Sequence, residues 1–452
     1  MSGAKMKPKK LERSDTDDLF RTRLENIIDL RHPLVRLAHE TDWAFYEAAI
    51  EPLYAEAGRP GVPVRFMVGL HILKHTFNLS DEKVCAQWVE NPYFQYFTGE
   101  EYFRHELPHE RSVMSRWRER VSEEELARLL QESLRIAHKT GALRIEDLKR
   151  VTVDTTVQPK AVAFPTDAKL IYRAIARLAA LARRYGVKLR QSYVRVGKLA
   201  LIKSQRYAHA KQFRRHRRQL KFLRTRLGRV IRDIVRRSDG NATLEVALRD
   251  ELQLARRVRD QQRRQPGPKV YSLHAPEVEC IGKGKAHKPY EFGCKVTVAT
   301  TNARAPGGQF VAHIAALHGN PYDGHTLKDA IAGVTAIIGR EPERIFVDRG
   351  YRGHDYAKPL RVFRSGQKRG LTPLIKRQLK RRSAVEPLIG HMKEDGRLGR
   401  NFLKGRHGDR INAILAGVGQ NVRLLLRWFR LLFCLVLACL ELVLSAQPCR
   451  HA

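Results

Sequence analysis

The chain has 452 residues, is 43% apolar, and carries 85 Lys plus Arg against 47 Asp plus Glu, a formal net charge of +38 at pH 7. That length exceeds one ordinary hydrophobic core, so two or three domains are expected, and the apolar content excludes wholesale disorder. The charge excess points to a polyanionic partner, nucleic acid first, against the alternative of a basic surface with no specific ligand.

The N-terminal stretch, residues 1–19, is polar, lacks the apolar run of a secretory signal, and reads as a flexible tail. From Phe20 to Ile145 apolar residues recur at three- and four-residue spacing, in ENIIDLRHPLVRLA, WAFYEAAIEPLYAEA and VRFMVGLHILKHTFN, which predicts a helical domain over 20–145. Ser80-Asp81-Glu82 is a helix start, and Asn91-Pro92 closes the same helix. A later segment, 110–121, sets Arg116, Arg118 and Arg120 around Trp117. A basic helix of this kind suits DNA binding, with Arg116 and Arg118 as contacts, and a purely structural helical domain is the alternative.

VTVDTT at 151–156 is an alternating β-branched run that predicts a strand, with Asp154 at its end. Residues 167–268 interrupt the strand-rich sequence. Between Leu170 and Arg232 there is no Asp or Glu. The periodicity there is helical, so a helical insertion with a cationic face is expected. Arg214, Arg215, Arg217 and Arg218 are its densest cluster, and phosphate contacts there imply affinity falling with salt at a log–log slope of about −0.9 per contact. Pro and Gly in RRQPGPK close the insertion.

Strand-like segments return at 269–274, 291–301 and 308–317, followed by a helix over 320–339 and a short strand, RIFVD, ending at Asp348. This order predicts an α/β core over 146–166 and 269–420, with ligands at the carboxyl ends of strands. Asp323 and Asp167 read as helix caps. His287, Lys288 and Tyr290 lie in a stretch that could approach DNA. The six cysteines form no CxxC pair and read as reduced thiols of a cytosolic protein. The terminal segment 421–452 contains an unbroken apolar run, Leu431 to Leu440. That is shorter than the ~20 residues needed to cross a bilayer, so a buried or partner-packing helix is expected and no membrane.

Asp154, Asp348 and Glu386 are the candidate catalytic and metal-binding residues. Mg²⁺ or Mn²⁺ prefers hard oxygen ligands, and two such ions about 3.5–4 Å apart serve both the attacking and the leaving oxygen of an in-line phosphoryl transfer. Each acid has a plainer alternative. Asp154 and Asp348 could be turn-forming acids after strands, and Ser383-Ala-Val-Glu386 is also a capping box, favoured by Pro387.

The three acids, with DRGYRG after the second and RSAVEPLIGHMK around the third, resemble the DDE transposases of bacterial insertion sequences. The block at 271–301 and GNPYDGHTL at 319–327 extend the resemblance to most of the chain from Phe20 to Phe433. It implies an RNase H-like mixed sheet beside the N-terminal helical domain and the basic insertion. It also implies two divalent ions, Mg²⁺ or Mn²⁺, and double-stranded DNA as partner, both as terminal inverted repeats and as target. A homodimer or larger assembly in the synaptic complex and a cytoplasmic, nucleoid-associated protein follow from it. The activity implied is end cleavage and joining to target DNA. A nuclease without strand transfer and an inert nucleic-acid-binding protein are the alternatives. In the family a Tyr, an Arg, the catalytic Glu and a Lys stand at fixed spacing. Arg382, Glu386 and Lys393 match, while the Tyr position holds Leu379. On one continuous helix Arg382, Glu386 and Lys393 would lie within about 40° of each other and flank the metal with cations for end phosphates.

Overall fold

In the computed structural model the described residues are 21–54, 61–262, 265, 267–282 and 289–445, with side chains as far as 433. The expected tail at 1–19, and His287 and Lys288, lie outside them. The chain divides into two compact units, residues 1–158 with 295–452, and residues 159–294.

The first unit opens with seven helices: α1 (Pro33–Glu40), α2 (Trp43–Ile50), α3 (Val64–Thr76), α4 (Asp81–Glu90), α5 (Pro92–Thr98), α6 (Ser112–Arg118) and α7 (Glu123–Lys139). Their ends follow local chemistry. The Ser80 side chain accepts from Lys83 N and starts α4. Asn91 then ends α4 and caps α5, accepting from Tyr93 N and Phe94 N with Pro92 in the first turn. Trp88 is fully buried, and its indole N–H donates to Thr98 Oγ1 at 2.7 Å, so its one polar atom is satisfied.

Strand β1 (Arg150–Pro159) follows. The second unit holds α8 (Asp167–Arg184), α9 (Val194–His209), α10 (Phe213–Ser238) and α11 (Ala242–Asp260), then the strand β2 (Glu279–Gly282) and the first residues of β3 (Tyr290–Thr301). Its helices have a core of their own, in which Ile171, Ile175, Leu178, Leu223, Leu227, Ile231, Leu248 and Leu252 meet. These apolar residues recur at helical spacing, which leaves the arginines between them to the outer face. Thr166, not Asp167, caps α8, accepting from Lys169 N, so the expected cap is displaced by one residue.

Back in the first unit come β4 (Val311–Leu317), α12 (Leu327–Ile338), β5 (Arg344–Val347), β6 (Val362–Arg364), α13 (Pro373–Arg381), α14 (Val385–Glu394) and α15 (Gly405–Ser445). The strands run in the order β4-β3-β1-β5-β6. The pair β3–β4 is antiparallel, and β1, β5 and β6 are parallel, a mixed α/β sheet.

Ile411, Leu415, Val418, Val422, Leu425 and Phe429 are all buried, one apolar stripe of α15 at alternating four- and three-residue steps. The apolar segment expected from 421 onward is therefore the continuation of this helix. Asn421, fully buried, accepts from Val311 N at 2.8 Å and donates to Val311 O at 2.9 Å. One side chain thus satisfies both backbone groups of a residue at the start of β4. Among the described residues no helix is long and apolar enough to cross a membrane.

Candidate active site

Asp154 lies in the middle of β1 rather than at its end, because pairing continues to Pro159. Val151 and Val153 point into the core beside α12, with Ile345 and Val347 of β5. The alternation of a strand therefore sends Asp154 to the opposite face. Strands β1 and β5 pair in parallel as Arg150↔Arg344, Val151↔Ile345 and Thr152↔Phe346. The same register carried two residues further sets Asp348 beside Asp154. Just past β5, Asp348 accepts a hydrogen bond from Gly350 N at 2.8 Å, which fixes its carboxylate at the strand's carboxyl end.

Glu386 is in the first turn of α14 and its side chain is 68% exposed. Arg382 joins it to the strand acids: Nη1 lies 3.2 Å from Asp154 Oδ2 and Nη2 lies 3.5 Å from Glu386 Oε1. The continuous helix assumed for Arg382, Glu386 and Lys393 is not observed. Residues Arg382–Ala384 form a 3-10 turn between α13 and α14. Pro387 has no N–H and its ring crowds the carbonyl four residues back, at Ser383, so the α-helix begins anew after that point. The capping-box alternative fails as well. Ser383 Oγ donates to Lys380 O, and the N-cap of α14 is Ala384, with no side-chain bond. Lys393 stands seven residues after Glu386 in α14, nearly two turns along the same side. Leu379 sits in α13 and is half-buried.

Five further groups, none expected as part of the site, complete it. Asp323 follows β4 and begins a 3-10 turn, Asp323–Thr326. It was expected as a cap, yet its side chain makes no cap bond there. Its Oδ1 accepts from Thr155 Oγ1 at 3.0 Å and from Lys295 Nζ at 3.1 Å. A Cβ on Gly350 would lie 3.0 Å from Asp348 Oδ1 and 3.1 Å from Asp323 Oδ2, so the missing side chain keeps open a notch between two carboxylates. Tyr351 is fully buried, its hydroxyl makes no well-formed hydrogen bond among the described residues and has Thr326 beside it, and it lies in the field of Asp154, Asp323 and Asp348. Burial, and then those three carboxylates, raise its pKa well above the usual tyrosine value. The one available sequence signal for Asp323 was its place after a strand, where α/β sheets put ligands.

Burial, reinforced by Asp348 and Asp323 and opposed by the Thr155 N–H and Arg382, lifts the Asp154 carboxyl to about 6. The donors of Asp154, Asp348 and Asp323 are hard carboxylate oxygens, the kind divalent cations prefer, and Gly350 leaves the notch between two of them open. A carboxyl whose folded pKa lies above its unfolded value of 3.8 binds more protons folded than unfolded, so it lowers stability as pH rises through that window. Between about pH 4 and 6.5 the metal-free wild type is therefore expected to lose about 2–3 kcal/mol that Asp154→Asn does not lose. Denaturant unfolding of both proteins across this range tests it, and parallel curves would contradict it.

The remaining expected DNA contacts divide. Arg214, Arg215, Arg217 and Arg218 are all exposed in the first turns of α10, and Arg116 is half-exposed beside Ser112 and Glu110. Arg118, expected at a DNA face, is buried instead. Its Nη2 lies 2.6 Å from Asp81 Oδ2, and its Nη1 lies 3.1 Å from Asp81 Oδ1 and 3.2 Å from His71 Nε2. A guanidinium held in that way is part of the helical core. Tyr290, at the start of β3, is exposed.

Residues 22–120, which carry α1 to α6, match the family model described as "Transposase domain (DUF772)". A Rhizobium meliloti protein described as "Uncharacterized protein ORF8 in nfe locus" is 50% identical over 200 residues, 44% of this chain and 97% of that protein. No solved structure matches the chain. The chain belongs to the insertion-sequence transposases.

Proposed function

We propose that this transposase binds the terminal inverted repeats of its element, cleaves the ends and joins them to target DNA, with Asp154, Asp348 and Glu386 as the catalytic acids. The observation that carries the reading is the pairing register that sets Asp348 beside Asp154, with Arg382 linking Asp154 to Glu386. The strand order β4-β3-β1-β5-β6, a hairpin on one side of the first strand and two parallel strands on the other, supports an RNase H-like core. In this reading the layout is a helical DNA-binding domain at 20–145, a catalytic domain at 146–166 and 269–420, and a basic insertion at 167–268.

Asp154, Asp348 and Glu386 would hold two divalent ions, Mg²⁺ or Mn²⁺. Such ions lower the pKa of an attacking water or 3′-hydroxyl and stabilise the leaving oxygen. The chain's own groups supply the rest. The Gly350 N–H and the β1–β5 register fix the two aspartates before substrate arrives, so little reorganisation is needed. Arg382 offsets the charge gathered by the acids, and its planar fork, with Lys393 along α14, suits a DNA phosphate. The exposed arginines of α10 would hold flanking DNA through phosphates. Synapsis of two ends needs at least two copies of the chain, and the DNA substrate places the reaction in the cytoplasm at the nucleoid.

End-cleavage and strand-transfer assays with Mg²⁺ or Mn²⁺, on DNA bearing the inverted repeats that flank the coding region, test this. Joined products from the wild type and none from Glu386→Gln are expected. Equal products from both would overturn the role of Glu386. Hydrolysed ends without joining would support a nuclease of the same fold instead.

A further inference from the structure

Asp323 belongs to none of the three positions given a catalytic role, yet its carboxylate faces the same notch. We propose that Asp323 is a fourth acidic ligand of the cation centre, offering Oδ2 to an ion held with Asp348. This inference rests on the proposed metal role of Asp154 and Asp348.

Three observations support it. The first is how its two oxygens are used. Oδ1 is anchored by Thr155 Oγ1 and by Lys295 Nζ, and Lys295 is itself held by Pro321 O at 2.7 Å. Oδ2 is turned instead toward Gly350 and Asp348. A side chain fixed through one oxygen presents the other in a set direction, as metal sites require of their ligands. The second is the notch itself. Asp348 Oδ1 and Asp323 Oδ2 approach one point on Gly350 from different elements, the end of β5 and the turn after β4, and only glycine leaves that point empty. The third is Tyr351, whose buried hydroxyl makes no well-formed hydrogen bond among the described residues, with Thr326 beside it, and lies in the field of Asp154, Asp323 and Asp348. Leaving such a group unpaired costs about 1–3 kcal/mol. A water on the cation would supply the partner.

The charge balance agrees. Three carboxylates are one negative charge short of neutralising two divalent ions, and Asp323 supplies the fourth. Arg382, beside Asp154 and Glu386, is then a cation for the substrate phosphate. The plainer reading, in which Asp323 only anchors Lys295 and Thr155, accounts for Oδ1 and leaves the direction of Oδ2 without explanation.

Mn²⁺ binding to the full chain, measured by isothermal titration, separates these readings when wild type, Asp323→Asn, Lys295→Met and Asp154→Asn are compared. Asn keeps the shape of Asp and can still accept from Thr155 and Lys295. Asp323→Asn is expected to weaken Mn²⁺ by about tenfold or more, and Lys295→Met to weaken it less, because Thr155 still anchors Oδ1. If Asp323→Asn and Lys295→Met weaken binding equally, or Asp323→Asn binds as the wild type does while Asp154→Asn is weakened, Asp323 is no ligand and the original trio stands. Wild-type affinity in Asp154→Asn would overturn the metal reading itself. A second measurement needs no variant: Fe²⁺ with ascorbate and peroxide cuts backbone near bound iron. Cuts near residue 323 as well as 154 and 348 are expected, and cuts at 154 and 348 alone would overturn the proposal.

Discussion

Asp154→Asn is expected to abolish strand transfer while leaving DNA binding intact and making the metal-free protein more stable. Loss even of the groups behind a metal ligand costs about 10–100-fold in affinity or activity, so removing the charge of a ligand at the centre of the site should cost at least about a hundredfold. DNA binding is expected to persist because Arg214, Arg215, Arg217 and Arg218 of α10 are untouched and Arg382 and Lys393 keep their charge. Stability rises because the carboxylate is buried beside Asp348 and Asp323, which lifts its pKa to about 6, and the amide carries no charge to desolvate. Single-turnover joining, a DNA-binding isotherm and a denaturant melt check the three parts. Joining within tenfold of the wild type would contradict the assignment of Asp154, and a lower melting midpoint would contradict the electrostatic account.

The second large effect concerns stability alone. Asp81→Ala is expected to cost about 3–5 kcal/mol, the range found when one partner is removed from a buried ion pair. Asp81 accepts from Lys74 Nζ at 2.6 Å and from both terminal nitrogens of Arg118, and both cations are buried. Burial is the first influence on Asp81 and acts to raise its pKa. Lys74 and Arg118 outweigh it and hold the carboxyl well below the usual range. Burial also pushes His71 down to about 3, with Arg118 and Lys74 adding to the effect, so its ring is neutral and can accept from Arg118. Without Asp81, two cations would remain in the helical core beside a neutral imidazole. Guanidinium unfolding of the variant tests this, and a loss below 1 kcal/mol would show that the network is solvated.

Much of this was legible in the sequence because the signals were local. The β-branched alternation of VTVDTT marks β1, and the Ser80 and Asn91-Pro92 punctuation marks both ends of α4 within a residue. The acid-free stretch after Leu170 marks helices whose arginines face outward. What was not legible depends on residues far apart in sequence. Arg118 looked exposed because its neighbours Arg116 and Arg120 share its charge, and its partner Asp81 is 37 residues earlier. Asp323 looked like a cap because an acid before a helix usually is one. Its partners, Thr155 and Lys295, come from two other strands. Nothing local shows that the Tyr351 hydroxyl is buried in the field of carboxylates. Around Glu386 local rules competed. The capping box and Pro387 both promised a helix start at Ser383, yet the chain arrives there already turning from α13, and Ser383 bonds backward to Lys380.

The most direct test of a metal-bound phosphate at these acids is strand transfer on DNA with sulfur replacing a non-bridging oxygen at the scissile phosphate. Mg²⁺ is a hard ion that prefers oxygen, and Mn²⁺ tolerates sulfur better. For one of the two sulfur isomers, joining should fail in Mg²⁺ and return in Mn²⁺, while unmodified DNA is joined in both. Equal rates for all substrates in both metals, or joining that persists in EDTA, would contradict a cation held at Asp154, Asp348 and Glu386.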